Sequence, residues 1–285
     1  IKELNKLLSI LKIPHVAAWS GLDCCNSENK LFFGTTGVYG NRCANFLIQN
    51  CDLLISIGSR LDTRVTGGRP ETFAKKALKV INDIDKNELS KRRGIVPDIT
   101  IESDSKIFLI NLIKQMKKTK KFSQNYLSWI EKSHSLKKNF PIINKKYYLQ
   151  KKFVNPYVFF DKLSNFLNKK DIIIADTGAH LTWFMQTHRI KLGQRVISAF
   201  GNSPMGYAFP ASIGASLAAN KKRVISINGE GSFQINIQEL QTLKYLKLPI
   251  KIFILNNKGY GIIKQFQSLF LEKRFEATSK GYSSP

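Results

Sequence analysis

Two apolar runs of the sequence end in side chains that can bind a metal ion or an anion. The run RVISIN, residues 223–228, is followed by Glu230 between two glycines, and the run IKIFILNN ends in Asn257. Both runs are typical of buried strands, and a helical pattern over roughly 232–247 separates them. A right-handed βαβ unit makes such strands parallel, so we expect Glu230 and Asn257 to lie within a few ångströms of each other at the carboxyl edge of a sheet.

The residues around Glu230 suit a phosphate group and a divalent cation. Gly229 and Gly231 allow the main chain to turn sharply and to approach a ligand closely. Ser232 is predicted as the N-cap of the next helix, whose first amides would point toward an anion. A carboxylate, the Asn257 amide oxygen and a main-chain carbonyl are enough for Mg²⁺ that takes its other ligands from phosphate and water. The sequence therefore predicts a magnesium-bridged diphosphate; the alternative is an ordinary βαβ turn with a solvated glutamate.

Short apolar strands alternate with helical patterns along the whole chain. This alternation is typical of parallel sheets covered by helices, so the predicted fold class is α/β, with two Rossmann-like domains. The predicted strands are residues 13–19, 51–58, 78–85, 171–176, 223–228 and 250–257.

A lysine-rich segment separates the two sets of strands. We expect a first domain over 1–120, a basic linker over 121–152 with one helix around 122–138, and a second domain over 153–285, truncated at its C-terminus. Between residues 114 and 152 there are twelve lysines and one acid, Glu131. Lysine clusters can bind polyanions, but neither an interleaving of aromatic and basic residues nor a recognition-helix motif accompanies these, so a solvated linker is favoured over a nucleic-acid site.

The bulk composition limits the class of protein. A net charge of +25 with 43% hydrophobic residues indicates a basic globular chain. No apolar run reaches the roughly 18 residues needed to cross a bilayer, so we expect a soluble cytoplasmic protein with no membrane contact. The four cysteines have no metal-ligand spacing and are expected to be reduced thiols.

The stretch GEGSFQINIQELQTLKYLKLPIKIFILNNKGYG, residues 229–261, resembles the diphosphate-binding motif of thiamine-diphosphate enzymes. Within that superfamily the chain is similar to the large subunits of acetolactate (acetohydroxyacid) synthases. Three further segments carry the same resemblance, at 37–68, 82–93 and 274–285. The resemblance implies a thiamine-diphosphate-binding fold for the second domain.

The resemblance also assigns roles to individual residues of the second domain. It implies that Glu230, Asn257 and the main chain of Gly259 bind Mg²⁺. The residues that it places around thiamine diphosphate are Gly178, His180, Gly231 and Ser232 at the diphosphate, Met205 and the Ser203 carbonyl at the ring system, and Ile262 and Ile263 in an apolar wall. Each of these residues could also be an ordinary packing or surface residue. The cofactor roles are favoured only because all the matches occur together and in the family's order along the sequence.

The first domain corresponds to the part of acetolactate synthases that holds FAD. The matching positions are Gly58, Arg60, Asp62, Arg64, Asp83 and Asp85. Relatives of these enzymes keep the domain without the flavin, so a Rossmann-like domain that binds nothing is the equal alternative.

The resemblance implies an enzyme that decarboxylates a 2-oxo acid such as pyruvate and joins the product to an acceptor, as in branched-chain amino acid biosynthesis. Three alternatives stay open: a sugar or cyclic diketone as acceptor, a nucleotide-binding oxidoreductase, and a basic nucleic-acid-binding protein. No G-x-G-x-x-G motif opens the first helices, which argues against the oxidoreductase.

In this family an activating glutamate comes from a separate N-terminal domain, usually of a partner subunit. The present chain has no segment that matches it, so we expect residues 1–285 alone not to turn over. The resemblance also implies a homodimer or homotetramer and allows a regulatory subunit. At two positions the sequence differs from the family pattern from which these roles are taken. Glu230 replaces the usual aspartate, and Phe266 stands where many acetolactate synthases have tryptophan.

Overall fold

The computed structural model describes residues 1–90, 94–118 and 126–278. Three ranges lie outside the described part: 91–93, 119–125 and 279–285. They include the ends of two segments that carry the resemblance, 82–93 and 274–285, and the beginning of the predicted linker, 121–152. The chain divides into two compact units, Ile1–Ile142 and Ile143–Pro285.

The first unit contains a three-stranded parallel sheet and a separate parallel pair of strands. Its helices are α1 (Lys2–Leu11), α2 (Arg42–Asn50), α3 (Thr63–Thr66), α4 (Lys86–Ser90), α5 (Ser105–Lys118) and α6 (Leu127–Asn139). Its strands are β1 (His15–Ala17), β2 (Phe32–Thr35), β3 (Leu53–Ile57), β4 (Leu78–Asp83) and β5 (Ile99–Glu102). The sheet has the order β3-β4-β5, and β1 pairs with β2. Short 3₁₀ turns lie at Trp19–Cys24 and Pro70–Thr72.

Helix α6 lies inside the segment that the sequence predicts as a linker. It packs on α2 in the first unit, where the Phe140 ring lies 4.9 Å from that of Phe46. The Lys137 ammonium donates to the main-chain carbonyl of Phe32 at 3.1 Å. The expected helix is therefore present, and the described part of the linker up to residue 142 belongs to the first unit because its aromatic and lysine side chains find partners there.

The second unit contains a four-stranded, fully parallel sheet with the order β7-β6-β8-β9. Its strands are β6 (Ile172–Ala175), β7 (Arg195–Ile197), β8 (Val224–Gly229) and β9 (Ile250–Leu255). Its helices are α7 (Pro156–Phe166), α8 (Ala179–Thr187), α9 (Ala208–Ala218), α10 (Glu230–Ile235), α11 (Glu239–Leu246) and α12 (Gly261–Phe270). A 3₁₀ turn at Lys145–Leu149 precedes α7. None of the described helices is both long enough and apolar enough to cross a membrane.

The core of the second unit forms around β6 and β8, which carry apolar side chains toward both faces of the sheet. Ile173 and Ile227 are fully buried, as expected of central strands in a parallel sheet. Helix α9 packs on β8 and β6, and its Phe209 is fully buried. Helix α7 begins sharply because the Asn155 side chain accepts hydrogen bonds from the first free amides and Pro156 fits the first turn.

The single helix predicted over roughly 232–247 is wrong in two respects. The structure has two helices, α10 and α11, and the first starts at Glu230 rather than after Ser232. Gly229 is the N-cap, while the Ser232 hydroxyl turns back to bond the main chain of Gly229. The helix breaks at Asn236 because that side chain donates to the carbonyl of Gly206, outside the helix, at 2.8 Å.

A buried histidine connects three parts of the second unit. His188 Nδ1 lies 2.9 Å from Ser164 Oγ, and Nε2 lies 3.1 Å from Gln194 Oε1. The ring also stacks on Phe184, with the centroids 4.7 Å apart. Burial lowers the pKa of His188 from 6.5 to about 4. The folded protein therefore resists the protonation that the unfolded chain undergoes below pH 6.5.

The free energy of unfolding is expected to fall as the pH drops from 6.5 toward 4, because the unfolded chain then binds a proton at residue 188 that the folded chain excludes. For this one group the loss at pH 4.5 is roughly 2–3 kcal/mol. Urea unfolding at pH 7 and pH 4.5 measures it. His188→Gln should show a smaller pH dependence than wild type. Equal pH dependence in the two proteins would contradict the assignment.

Candidate functional site

Glu230 and Asn257 meet at the carboxyl edge of the second sheet, as the sequence predicts. Strands β8 and β9 pair in parallel up to Gly229 and Leu255, so the next residues of both strands leave the sheet side by side. The Glu230 carboxylate accepts the Gly259 amide on Oε1 at 2.7 Å and the Asn257 amide on Oε2 at 3.3 Å. Residues 27 and 29 positions apart are thus joined directly.

The Asn257 side-chain amide lies between the other two predicted metal ligands. One of its terminal atoms is 3.0 Å from Glu230 Oε1 and 2.5 Å from the main-chain oxygen of Gly259. The amide nitrogen belongs in that position, because there it donates to both oxygens, whereas an oxygen would face only acceptors. The Asn257 amide thus bridges Glu230 and the Gly259 carbonyl, and it would have to rotate to present its oxygen to a metal ion.

A magnesium site of this kind uses one carboxylate and two neutral oxygens. The described residues contain no cluster of three or more His, Cys, Asp and Glu side chains able to hold a metal. A hard ion that brings phosphate and water ligands with it does not need such a cluster.

The two glycines beside Glu230 are sites of close approach. A Cβ on Gly231 would lie 2.3 Å from the Tyr260 ring, so a larger residue would displace that ring. A Cβ on Gly229 would lie 3.3 Å from the His180 ring. Ser232 is buried, and its hydroxyl is engaged with Gly229 rather than exposed to a ligand. The contact of Gly231 and Ser232 with a diphosphate stays a prediction.

His180 follows the neighbouring strand β6 and points into the same region. Its ring is bonded to the main-chain carbonyl of Asp176, while Nε2 is buried and has no hydrogen-bond partner in the described chain. Burial lowers the pKa of His180 to about 4. A Cβ on Gly178 would lie 2.5 Å from the ring, so only glycine permits this position. An unpaired buried nitrogen is costly, and a ligand atom at this place would satisfy it.

Ser203 and Met205 lie in the turn that follows β7. Ser203 has a left-handed backbone conformation, φ +50°, and its amide donates to Ala199 at 2.8 Å. Two side chains that sequence reasoning did not single out, Asp176 and Asn236, bond the main chain of this turn. An acid directly after a buried strand was the available signal for Asp176.

The predicted apolar wall lies on helix α12. Ile262, Ile263 and Phe266 are 42%, 46% and 54% exposed. The buried side of this helix is held instead by Gln267, which bonds Thr278 Oγ1 at 2.5 Å and the carbonyl of Glu276 at 2.8 Å. The wall role of the two isoleucines stays a prediction.

In the first unit, the positions matched to a flavin site follow β3 and β4. Three of them are acids that accept main-chain N–H groups close by in sequence: Asp62 from Arg64 and Val65, Asp83 from Asp85, and Asp85 from Asn87. Arg60 forms an ion pair with Glu88 at 3.1 Å. Gly58 has φ +57°, and its amide donates to Asn82 at 2.9 Å.

Two crevices occur in the first unit. The one beside Arg60 and Asp83 has a volume of about 20 Å³, room for about one water molecule. The other, of about 190 Å³, lies between the start of α2 and the turn after α3, with Asn45 and Phe73 in its lining.

Comparison with known protein families matches both units. The central-domain model of thiamine pyrophosphate enzymes matches residues 1–112, and the model of their C-terminal, thiamine pyrophosphate-binding domain matches residues 176–285. The oxygen cluster at Glu230 and the unpaired nitrogen of His180 both lie in the second match.

Curated relatives align with nearly the whole chain. It is 35% identical to the acetolactate synthase large subunit of Cyanidium caldarium, over 99% of this chain and 47% of the relative. It is 33% identical to the probable acetolactate synthase large subunit of Methanococcus aeolicus, over 96% of this chain and 47% of the relative. It is 30% identical to the acetolactate synthase isozyme 2 large subunit of Escherichia coli (strain K12), over 98% of this chain and 48% of the relative. The chain thus spans about half the length of these relatives. With two domain models matched in order, the chain belongs to the thiamine pyrophosphate enzymes.

Proposed function

We propose that this chain is part of an enzyme that uses thiamine diphosphate and Mg²⁺ to decarboxylate a 2-oxo acid, such as pyruvate, and to join the product to an acceptor. The reaction is that of an acetolactate synthase, of the type used in branched-chain amino acid biosynthesis. The observation that carries the proposal is the meeting of Glu230, Asn257 and the Gly259 carbonyl at one sheet edge. The names of the aligned relatives support the choice of reaction.

The three oxygen groups would hold the metal on one side. Mg²⁺ prefers six oxygen ligands, so three positions remain for diphosphate oxygens and water. The Glu230 carboxylate also accepts two amides of the 257–259 loop. These bonds hold the loop in place, so that ion binding needs only the Asn257 amide to present its oxygen.

His180 would bind the diphosphate through Nε2, the atom without a partner in the described chain. Donation to an anion needs a proton on Nε2, and the other ring nitrogen already bonds the Asp176 carbonyl. The anion must therefore raise the low pKa of the ring, and cofactor binding would take up a proton at this residue.

When bound, thiamine diphosphate supplies the electron sink for decarboxylation. The residues of this chain would position the cofactor and exclude water from it. Met205 would support the ring system from below, the Ser203 carbonyl would face the aminopyrimidine, and Ile262 and Ile263 would exclude water from the reacting face. The glutamate that activates the aminopyrimidine would come from a further domain, supplied by a partner copy, so that the active form is a dimer or tetramer.

The acceptor is the least constrained part of the proposal. Phe266 is 54% exposed at the position where many acetolactate synthases carry tryptophan, which leaves room for a different acceptor such as a sugar or a diketone. A regulatory subunit is proposed only from the relatives' description as large subunits. The four cysteines are described and form no disulfide with one another, which supports a reducing compartment such as the cytoplasm.

FAD is the weaker of the two cofactor proposals. The three matched acids of the first unit already accept nearby amides, and the crevice beside Arg60 holds only about 20 Å³. Another crevice of the first unit, near Asn45, has a volume of about 190 Å³. We therefore favour a first unit that does not require flavin for its structure.

Isothermal titration of the full chain with thiamine diphosphate tests the function. We expect binding with Mg²⁺ and much weaker binding when EDTA replaces it, because the metal neutralises the diphosphate between the oxygen groups. Visible absorbance of the same preparation reports bound flavin, and product analysis on pyruvate, with and without the relatives' N-terminal domain added, reports turnover. A chain that does not bind the cofactor with Mg²⁺ would refute the proposal.

Shortening the acidic side chain tests the metal role. Glu230→Asp should keep or raise magnesium-dependent cofactor affinity, because aspartate is the usual residue of the family. Glu230→Gln keeps the length but removes the charge, and should weaken that affinity by about 10–100-fold while leaving binding in EDTA unchanged. Titration with and without Mg²⁺ measures both variants. A large loss with aspartate would mean that the carboxylate binds in another way.

The position of the His180 ring can be tested through its glycine neighbour. Gly178→Ala places a Cβ 2.5 Å from that ring, so we expect a loss of about 1–3 kcal/mol of folding stability and weaker cofactor binding. Gly214→Ala is the matched control, since a Cβ there meets nothing within 4 Å and alanine favours the α9 helix. Denaturant unfolding and titration report the two effects. Wild-type affinity in Gly178→Ala would exclude His180 from the cofactor site.

A further inference from the structure

The turn that carries Ser203 and Met205 is bonded by a buried carboxylate. Asp176 follows β6 and is fully buried. Its Oδ2 accepts the amide of Ala208 at 3.1 Å, and its Oδ1 accepts the amide of Thr177 at 2.7 Å. The amides of Gly206 and Tyr207 bond the same carboxylate. Three consecutive amides at the end of the turn therefore converge on one side chain from a neighbouring strand.

A second side chain bonds the same turn from another direction. Asn236 Nδ2 donates to the Gly206 carbonyl at 2.8 Å. Gly206 has φ +86°, and a Cβ there would lie 2.9 Å from Ile235 and 3.0 Å from Asn236. Gly206 is thus bonded through its amide to Asp176 and through its carbonyl to Asn236, with no space for a side chain.

The Asp176 carboxylate satisfies free amides at the start of α9 and at the same time holds the end of the turn. A buried carboxylate must recover its lost hydration, and in the described chain Asp176 does so through main-chain amides, with no Lys or Arg paired to it. Asn236 interrupts the run between α10 and α11 where it bonds the turn. The turn itself contains Ser203 in a left-handed conformation that a non-glycine residue holds only when its surroundings fix it.

We propose that Asp176 and Asn236 are positioning residues that clamp the 203–206 turn to the sheet before the cofactor binds. The clamp fixes the Ser203 carbonyl and the Met205 side chain beside the carboxyl edge, where the cofactor rings would lie; that consequence rests on the proposed function. Neither side chain needs to touch the cofactor. The clamp itself is a property of the protein alone and can be measured without any ligand.

Hydrogen exchange of the full chain without cofactor tests the clamp directly. Asp176→Asn replaces the carboxylate, which accepts several main-chain N–H groups, by a side chain with a single acceptor oxygen. The N–H groups of Gly206, Tyr207 and Ala208 should therefore exchange at least about 10-fold faster than in wild type. Amides of β8 should keep their wild-type protection. Asn202→Ala is the control, because Asn202 is exposed in the same turn. Unchanged exchange at 206–208 would overturn the clamp.

A second variant covers the case in which Asp176→Asn fails to fold. Asn236→Asp keeps the shape of the side chain but cannot donate to the Gly206 carbonyl, and it leaves the buried carboxylate in place. It should also speed exchange at Gly206 and Tyr207, with Asn202→Ala again as the control. Wild-type exchange in Asn236→Asp would remove Asn236 from the clamp and overturn the proposal in its present form.

Two probes separate the clamp from the proposed function. We expect the variants to bind thiamine diphosphate with Mg²⁺ at least about 10-fold more weakly, and inorganic pyrophosphate with Mg²⁺ as wild type does, because the turn faces the rings and not the diphosphate. Equal weakening of both probes would show a general structural defect and overturn the positioning role. If wild type does not bind thiamine diphosphate, the proposed function fails, while the exchange data still decide whether the clamp exists.

Discussion

The parallel pairing of β8 with β9 is the constraint on which the candidate site depends. The two strands are in register over six residue pairs and end together at Gly229 and Leu255. Because β8 is buried on both faces, a shift in register would move apolar side chains out of the core. The register therefore fixes where Glu230 and Asn257 leave the sheet. No local interaction could bring together residues that are 27 positions apart.

The other parts of the site use the same sheet edge but different strands. Strand β6 lies next to β8 in the sheet, and Asp176 follows its last residue and leads into the Gly178–His180 turn. The carbonyl of Asp176 bonds the His180 ring, and its carboxylate bonds the turn that follows β7. One residue thus connects the proposed diphosphate contact with the proposed ring contact. The edge is organised as a set of main-chain turns held by a few buried polar side chains, which suits a ligand that must be held in one shape.

The sequence predicts the parts of this arrangement that follow from apolar periodicity. The Ile-rich runs that form β6, β8 and β9 are long enough to be recognised, and their parallel order follows from the helices between them. The strands β2, β5 and β7 lie outside the predicted runs. The break at Asn236 and the burial of Asp176 could not be predicted, since both result from contacts with a turn 30 to 32 positions away. Local propensity contains no information about such partners.

The buried imidazole of His180 is the polar group of the second sheet edge that favours a ligand there. In the first unit Asp62, Asp83 and Asp85 each accept amides two or three positions further along the chain. In the second unit the Asn257 amide donates to Glu230 and to the Gly259 carbonyl, whereas the buried Nε2 of His180 has no partner among the described residues. A buried polar atom in this state raises the free energy of the folded protein. An anion at Nε2 would satisfy it, and a divalent ion that accompanied the anion would need the Asn257 amide to turn its oxygen toward the ion.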